Sequence, residues 1–191
     1  MNTLAAILAG YLLGSIPFGL ILTRLAGLGD IRAVGSGNIG ATNVLRTGRK
    51  DIAALTVLLD AAKGAAAVLA FAPWGLAGLA GVAAVAGHCT SPWVGFRGGK
   101  GVATGLAVIL AWSPLVGLAC CAAWLATAYL SKRSSLASLL AIGLAPVLLF
   151  AVTGWPAALA GLALAAIVFV RHHGNIGRLL AGTEPRIGQG R

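Results

Sequence analysis

Charge is scarce in this sequence, and negative charge is scarcest. Only 4 of its 191 residues are Asp or Glu, and charged residues of either sign make up 9%, against about 25% in an ordinary soluble domain. A water-facing surface cannot be built from so few. The same scarcity excludes paired-carboxylate hydrolysis: Asp30, Asp51 and Glu184 are scattered, and Asp60 lies within an apolar run. Cysteine is sparse as well. Cys89, Cys120 and Cys121 form an odd set, two of them adjacent inside an apolar run, so no disulfide framework is implied. Neither a G-x-S-x-G elbow nor a His-x4-Asp sequence occurs, because the residues five positions after His88, His172 and His173 are Trp93, Gly177 and Arg178. No linker, low-complexity block or charge run divides the chain, which reads as one unit.

What the chain does have is apolar length. Hydrophobic residues make up 59% and mean hydropathy is +0.94. Apolar runs lie near residues 2–22, 52–71, 75–90, 101–112, 115–130, 135–152 and 156–171. Since about 20 helical residues cross a bilayer, these predict an all-α, polytopic membrane protein with seven transmembrane helices, some of them short. The first run lacks a basic leader and is too long for a signal-peptide core, so it is expected to stay as a helix. Glycine occurs 28 times, and small residues allow close helix contact in lipid.

The cations give the orientation. Arg24, Arg32, Arg46, Arg49 and Lys50 fall in the first loop, Arg97 and Lys100 in the third, Lys132 and Arg133 in the fifth, and Arg171, Arg178, Arg186 and Arg191 in the tail. Positive charge collects on the cytoplasmic side. Seven spans then place the N-terminus outside and the C-terminus in the cytoplasm. The opposite turns pair a helix breaker with an interfacial tryptophan: Pro73-Trp74, Trp112-Ser113-Pro114 and Trp155-Pro156. Topology therefore accounts for the net charge of +10, and no aromatic-basic groove for nucleic acid is present. The exception is Lys63, which lies with Asp60 inside the second run, three residues apart and on one helical face.

Three polar clusters share the basic side. The first is Gly35-Ser36-Gly37-Asn38-Ile39-Gly40-Ala41-Thr42-Asn43, with Arg46 following. It matches G-x-G-x-x-G, but no βαβ unit fits here. Flexible glycine turns still aim backbone N–H groups at an anion, and a helix starting near Ala41 adds its dipole. The second is Gly98-Gly99-Lys100-Gly101, which follows His88. It resembles a Walker A loop only loosely, because Gly101 stands where the metal-binding hydroxyl would be. The run from Gly101 to Trp112 extends about 18 Å at 1.5 Å per residue, too little to cross, so either this loop sinks below the headgroups or the membrane thins there, and irregular backbone at that depth favours a polar cavity. The third is Arg171-His172-His173-Gly174-Asn175. His88, Cys89, His172 and His173 follow no zinc-ligand spacing, and neither metal nor cofactor is implied.

Taken together, these clusters resemble the bacterial membrane acyl-phosphate:glycerol-3-phosphate acyltransferases. The resemblance rests on Gly14-Ser15-Ile16, the Gly35 to Arg46 block, Asp60-x-x-Lys63-Gly64, His88 with Gly98-Gly99-Lys100-Gly101-Val102-Ala103-Thr104, and Arg171-His172-His173-x-Asn175-Ile176 with Arg178-Leu179. One departure is Pro92, four residues after His88 where the family has proline at three. The resemblance implies a single transmembrane acyltransferase domain over residues 1–191, in the bacterial inner membrane with its active site facing the cytoplasm. The substrates implied are glycerol 3-phosphate and a long-chain acyl phosphate, taken with membrane lipid around the protein. By the same resemblance Ser36, Arg46, Lys100, His172 and Asn175 surround glycerol 3-phosphate. Gly37, Asn38, Gly40, Ala41, Thr42, Asn43, Gly98, Gly99, Gly101 and Thr104 complete the substrate-binding set.

In this reading the glycerol hydroxyl attacks the acyl carbon and phosphate leaves. The donor's own phosphate is expected to take the proton, because a histidine held against phosphate favours its charged form. A small-anion transporter is the alternative, disfavoured by the lack of paired repeats. The cations divide accordingly. Arg46 and Lys100 are expected to bind phosphate, whereas Arg24, Arg49, Lys50, Lys132, Arg133, Arg186 and Arg191 orient the bundle or meet anionic lipid. Arg32, Arg97, Arg171 and Arg178 fall in neither group on sequence alone.

Overall fold

A computed structural model describes residues 2–188; Arg191, counted above among the orienting cations, lies outside them. The described residues are all helical or irregular, without a strand. The first apolar run forms α1 (Thr3–Ser15) and α2 (Phe18–Leu25), interrupted at Ile16-Pro17 because proline has no N–H to continue the ladder. A short α3 (Ala41–Val44) follows the first glycine loop. The later runs become α4 (Lys50–Phe71), α5 (Ala77–Cys89), α6 (Val102–Trp112), α7 (Pro114–Ser131), α8 (Ser134–Thr153) and α9 (Trp155–Arg171), and α10 (His173–Leu180) ends the helical part. Pro114 and Pro156 occupy the first turns of α7 and α9, where the missing donor is tolerated.

Each of the seven apolar runs is thus helical, but their lengths differ. Thr3–Leu25, Lys50–Trp74, Pro114–Ser131 and Ser134–Thr153 are long and apolar enough to cross a membrane, and a fifth span exists if α9 and α10, bent by 68°, are taken together. The helices α5 and α6 have only 13 and 11 residues.

The helices close into a ring in which α1 packs on α5, α5 on α9, and then α8, α7, α6 and α4 follow in turn back to α1. Small residues set the closest approach. A Cβ on Gly10 or Gly14 of α1 would run into the backbone of Ala80 or Ala84 of α5, the close helix contact that glycine allows in lipid. The interior is filled by Val85, Val108, Ile142, Leu164 and Val168, all fully buried. Large apolar side chains also point outward: Leu58, Leu118 and Leu125 are 61–64% exposed. An exterior this apolar suits hydrocarbon rather than water.

A second, smaller apolar cluster positions the basic end. Ile31, Ile39 and Val44 of the first glycine loop pack with Leu20, Ala53 and Val94. Val94 belongs to the α5–α6 connection, so one cluster anchors both glycine loops. That connection is also tied to the end of α1, where Ser91 Oγ donates to the Ser15 carbonyl at 2.6 Å and Trp93 Nε1 to Ser15 Oγ at 2.9 Å.

Candidate active site

The first loop is organised from within by Asn43. Its Nδ2 donates to the carbonyls of Ile31 and Val34 at 3.1 and 2.8 Å, and its Oδ1 accepts from the backbone N–H of Ser36 at 3.2 Å. The side chain therefore shapes the loop and is 2% exposed. Asn38 does likewise, its Oδ1 accepting from Gly40 N–H at 2.8 Å. Gly35 is left-handed, with φ of 52°, and a Cβ there would meet Arg46 Nη1 and Asn43 Oδ1, each at 2.6 Å. Absence of a side chain lets the Arg46 guanidinium lie over the loop. Gly40, Ala41 and Thr42 begin α3 as expected.

The second loop rests on the end of α5. Gly98 N–H donates to the Cys89 carbonyl and Gly99 N–H to the His88 carbonyl, at 3.2 and 3.0 Å. A Cβ on Gly99 would overlap the imidazole of His88. From the other side Arg171, at the end of α9, grips the same loop: its Nη2 donates to the Gly98 carbonyl at 2.9 Å and its Nε to the Gly99 carbonyl at 3.1 Å. Gly101 then turns the chain into α6 with φ of 80°. Thr104 is set apart from these residues, fully buried where α6 meets Gly64 of α4.

The third cluster completes a chain of hydrogen bonds. Lys100 Nζ donates to Asn175 Oδ1 at 2.6 Å, Asn175 Nδ2 donates to Glu184 Oε1 at 2.6 Å, and Arg178 Nε donates to Glu184 Oε2 at 2.7 Å. His172 is buried, and its Nδ1–H donates to the Val168 carbonyl at 2.8 Å. That leaves the lone pair of the neutral ring on Nε2. His173 is exposed, and its Nδ1 bonds back to the Val170 carbonyl of α9 at 3.0 Å.

Burial dominates the electrostatics. It pushes the Lys100 ammonium down to about 8, with Glu184 opposing the shift and Arg178, Arg171 and Arg46 adding to it. Burial likewise pushes His172 down to about 4. Burial works against the Glu184 carboxylate, but hydrogen bonds led by that of Asn175 more than offset it and hold the group below its usual range. Arg46, Arg171, Arg178 and Glu184 thus come from separate elements to within electrostatic range of Lys100. Such a grouping suits a ligand with more than one negative charge.

Three of its members carry no assignment from sequence alone: Arg171 and Arg178 fall in neither group of cations, and Glu184 figures only among the scattered acids. A signal for Glu184 was its place near Arg178 in a chain that has 4 acidic residues.

Comparison with known proteins gives the family and the fold. Residues 4–182 match the family model for glycerol-3-phosphate acyltransferase. The chain is 55% identical over 190 residues to the glycerol-3-phosphate acyltransferase of Sinorhizobium medicae, covering 98% of this chain and 94% of that one. It is 56% identical over 187 residues to the Agrobacterium fabrum enzyme of the same name, covering 96% and 91%. Its fold superposes on the crystal structure of PlsY (YgiH), an integral membrane glycerol 3-phosphate acyltransferase, in the glycerol 3-phosphate form. The TM-score is 0.92 at 39% identity, covering 98% of this chain and 96% of that one. The lysophosphatidic acid form of PlsY gives 0.90 at 37% identity, with the same coverage. The chain belongs to the glycerol-3-phosphate acyltransferase family.

Proposed function

We propose that this protein transfers the acyl group of a long-chain acyl phosphate to the 1-hydroxyl of sn-glycerol 3-phosphate, giving lysophosphatidate and phosphate. The observation that carries the reading is the convergence of Arg46, Lys100 and Asn175 from the first loop, the second loop and α10. In this scheme Ser36, Arg46, Lys100, His172 and Asn175 hold glycerol 3-phosphate. The backbone of Gly40–Thr42 and Gly98–Gly101 faces the acyl phosphate, while Asn38 and Asn43 keep the first loop in shape. Charge stabilisation and positioning then supply most of the acceleration.

The glycerol oxygen bonds to the acyl carbon, the bond from that carbon to the phosphate oxygen breaks, and the hydroxyl proton passes to the departing phosphate. His172 is not the base in this scheme. A ring whose pKa burial pushes down to about 4 is a weak proton acceptor. Replacing His172 by Gln is expected to keep substantial turnover. Near-complete loss with normal substrate binding would contradict this.

We propose that the acyl chain lies between α7, α8 and α9. A groove of about 420 Å³ runs between α7, α8 and α9, lined by Ala123, Thr127, Leu139, Gly143 and Phe169 among others. Phe169 lies three residues before His172, which supports a chain entering sideways from lipid. We further place the site on the cytoplasmic face of the bacterial inner membrane, with seven crossings and an external N-terminus. The charge distribution supports that orientation. The helices α5 and α6 rise only about 20 and 16 Å at 1.5 Å per residue, which supports a second glycine loop sunk below the headgroups. The test is to incubate purified protein with acyl phosphate and glycerol 3-phosphate. Lysophosphatidate is the expected product, and its absence from folded protein overturns the proposal.

A further inference from the structure

Glu184 stands out as a negative group inside a cluster of cations read here as a phosphate site. Of the other acids, Asp30 pairs with Arg24 and Arg32 and Asp51 with Arg49, all near the surface, while Asp60 pairs with Lys63 inside α4. Glu184 instead has a side chain only 7% exposed. A carboxylate there repels anionic substrates, so its presence needs a reason beyond neutralising one arginine.

The segment after α10 is built to deliver it. Gly182 turns the chain with φ of 71°, and Thr183 N–H donates to the Arg178 carbonyl at 2.9 Å. Pro185 follows, and Ile187 N–H donates to the Lys132 carbonyl at 2.6 Å, fixing the segment to the α7–α8 turn. The carboxylate is thereby presented to Asn175 and Arg178 together.

Its effect on Asn175 follows from hydrogen-bond chemistry. An asparagine amide has a donating end and an accepting end, and only its partners decide which faces where. A carboxylate only accepts, so Nδ2 must face Glu184. An ammonium only donates, so Oδ1 must face Lys100. The two demands agree. Resting on the reading that Lys100 and Asn175 hold glycerol 3-phosphate, we infer that Glu184 is a positioning residue for that substrate: its carboxylate fixes the Asn175 amide and, through it, the Lys100 ammonium.

Two consequences separate this role from simple tethering of the tail. Without the carboxylate, Asn175 is free to turn its amide, and Lys100 loses its aimed acceptor. The KM for glycerol 3-phosphate then rises about tenfold, the weight of a hydrogen bond to a charged group, while kcat changes less. The pH profile also moves. The charged groups around Lys100 are Glu184, Arg46, Arg171 and Arg178, with His172 nearby, and only Glu184 favours the ammonium form. Its removal shifts the alkaline limb of kcat/KM for glycerol 3-phosphate to lower pH.

The experiment compares Glu184→Gln, Glu184→Asp, Lys100→Met and Asn175→Ala, each purified and checked for its melting midpoint in detergent. Glu184→Gln is expected to raise KM and shift the alkaline limb. Glu184→Asp, which keeps the charge but shortens the reach, is expected to raise KM with the limb in place. If Lys100→Met and Asn175→Ala leave KM at the wild-type value, the phosphate-site reading itself falls. If those two raise KM while both Glu184 variants match wild type in KM and pH profile, the positioning role alone is overturned. Should Glu184→Gln fold poorly, Glu184→Asp decides: an unchanged KM refutes the inference.

Discussion

Lys63 Nζ lies 2.9 Å from His88 Nδ1, joining α4 to α5 beneath the second glycine loop. The same ammonium is 2.7 Å from Asp60 Oδ1 and donates to the Ile16 carbonyl at 2.7 Å, an acceptor at the break between α1 and α2. Ile16 lies just before Pro17, where the first span breaks, so Lys63 ties α4 to that break. Replacing Lys63 by Met leaves the buried Asp60 with only His88 Nδ1, at 3.5 Å, which is expected to cost about 3 kcal/mol. Joint replacement of Asp60 and Lys63 by apolar residues is expected to recover part of that loss. Melting midpoints of the single and double variants in detergent check both expectations.

The rigidity of this network passes to the site through Gly99. A methyl group there would overlap the His88 ring, and the ring cannot retreat while Lys63 holds it. In Gly99→Ala the loop must move instead, away from the Arg171 grip. A shift of about 1 Å in a positioned group lowers kcat/KM about 100-fold. Steady-state kinetics measure the loss, and pairing Gly99→Ala with His88→Ala is expected to restore part of the activity by making room.

The pH profile carries the signature of Lys100. A lysine is charged below its pKa, and burial brings this one down to about 8, so phosphate binding by the free protein weakens as pH rises through that value. Phosphate monoesters lose their second proton near about 6, which supplies the opposite limb. The expected kcat/KM for glycerol 3-phosphate is therefore bell-shaped between these values. Because bound phosphate favours the ammonium, kcat at saturating substrate is expected to hold to higher pH. Lys100→Arg, permanently charged, is expected to lose the alkaline limb whatever its absolute rate.

Much of this architecture was legible in the sequence, and the part that was not shares one physical character. Apolar runs, prolines beside tryptophans and glycine clusters are local signals. They located the helices, the turns and the loops of Gly35–Arg46 and Gly98–Gly101. Arg171 and Glu184 act through contacts that no local pattern records. Arg171 reaches a carbonyl 72 residues away, and Glu184 enters the site only because the tail turns at Gly182 and is tied to Lys132. Thr104 shows the converse. The family resemblance groups it with the substrate-binding residues, and the first turn of α6 carries it round to face Gly64.

The division of the cations is open to the most direct test. Arg46 and Lys100 are assigned to substrate phosphate, Lys132 and Arg133 to orientation and lipid. Steady-state kcat/KM for glycerol 3-phosphate should be measured on Arg46→Met, Lys100→Met, Lys132→Met and Arg133→Met, purified and matched for folding. The expected result is a loss of about 100-fold or more in the first two, the scale of a lost charged contact to substrate phosphate, with the last two within about twofold of wild type. Equal losses in all four, or none in Arg46→Met and Lys100→Met, would contradict the assignment of the site.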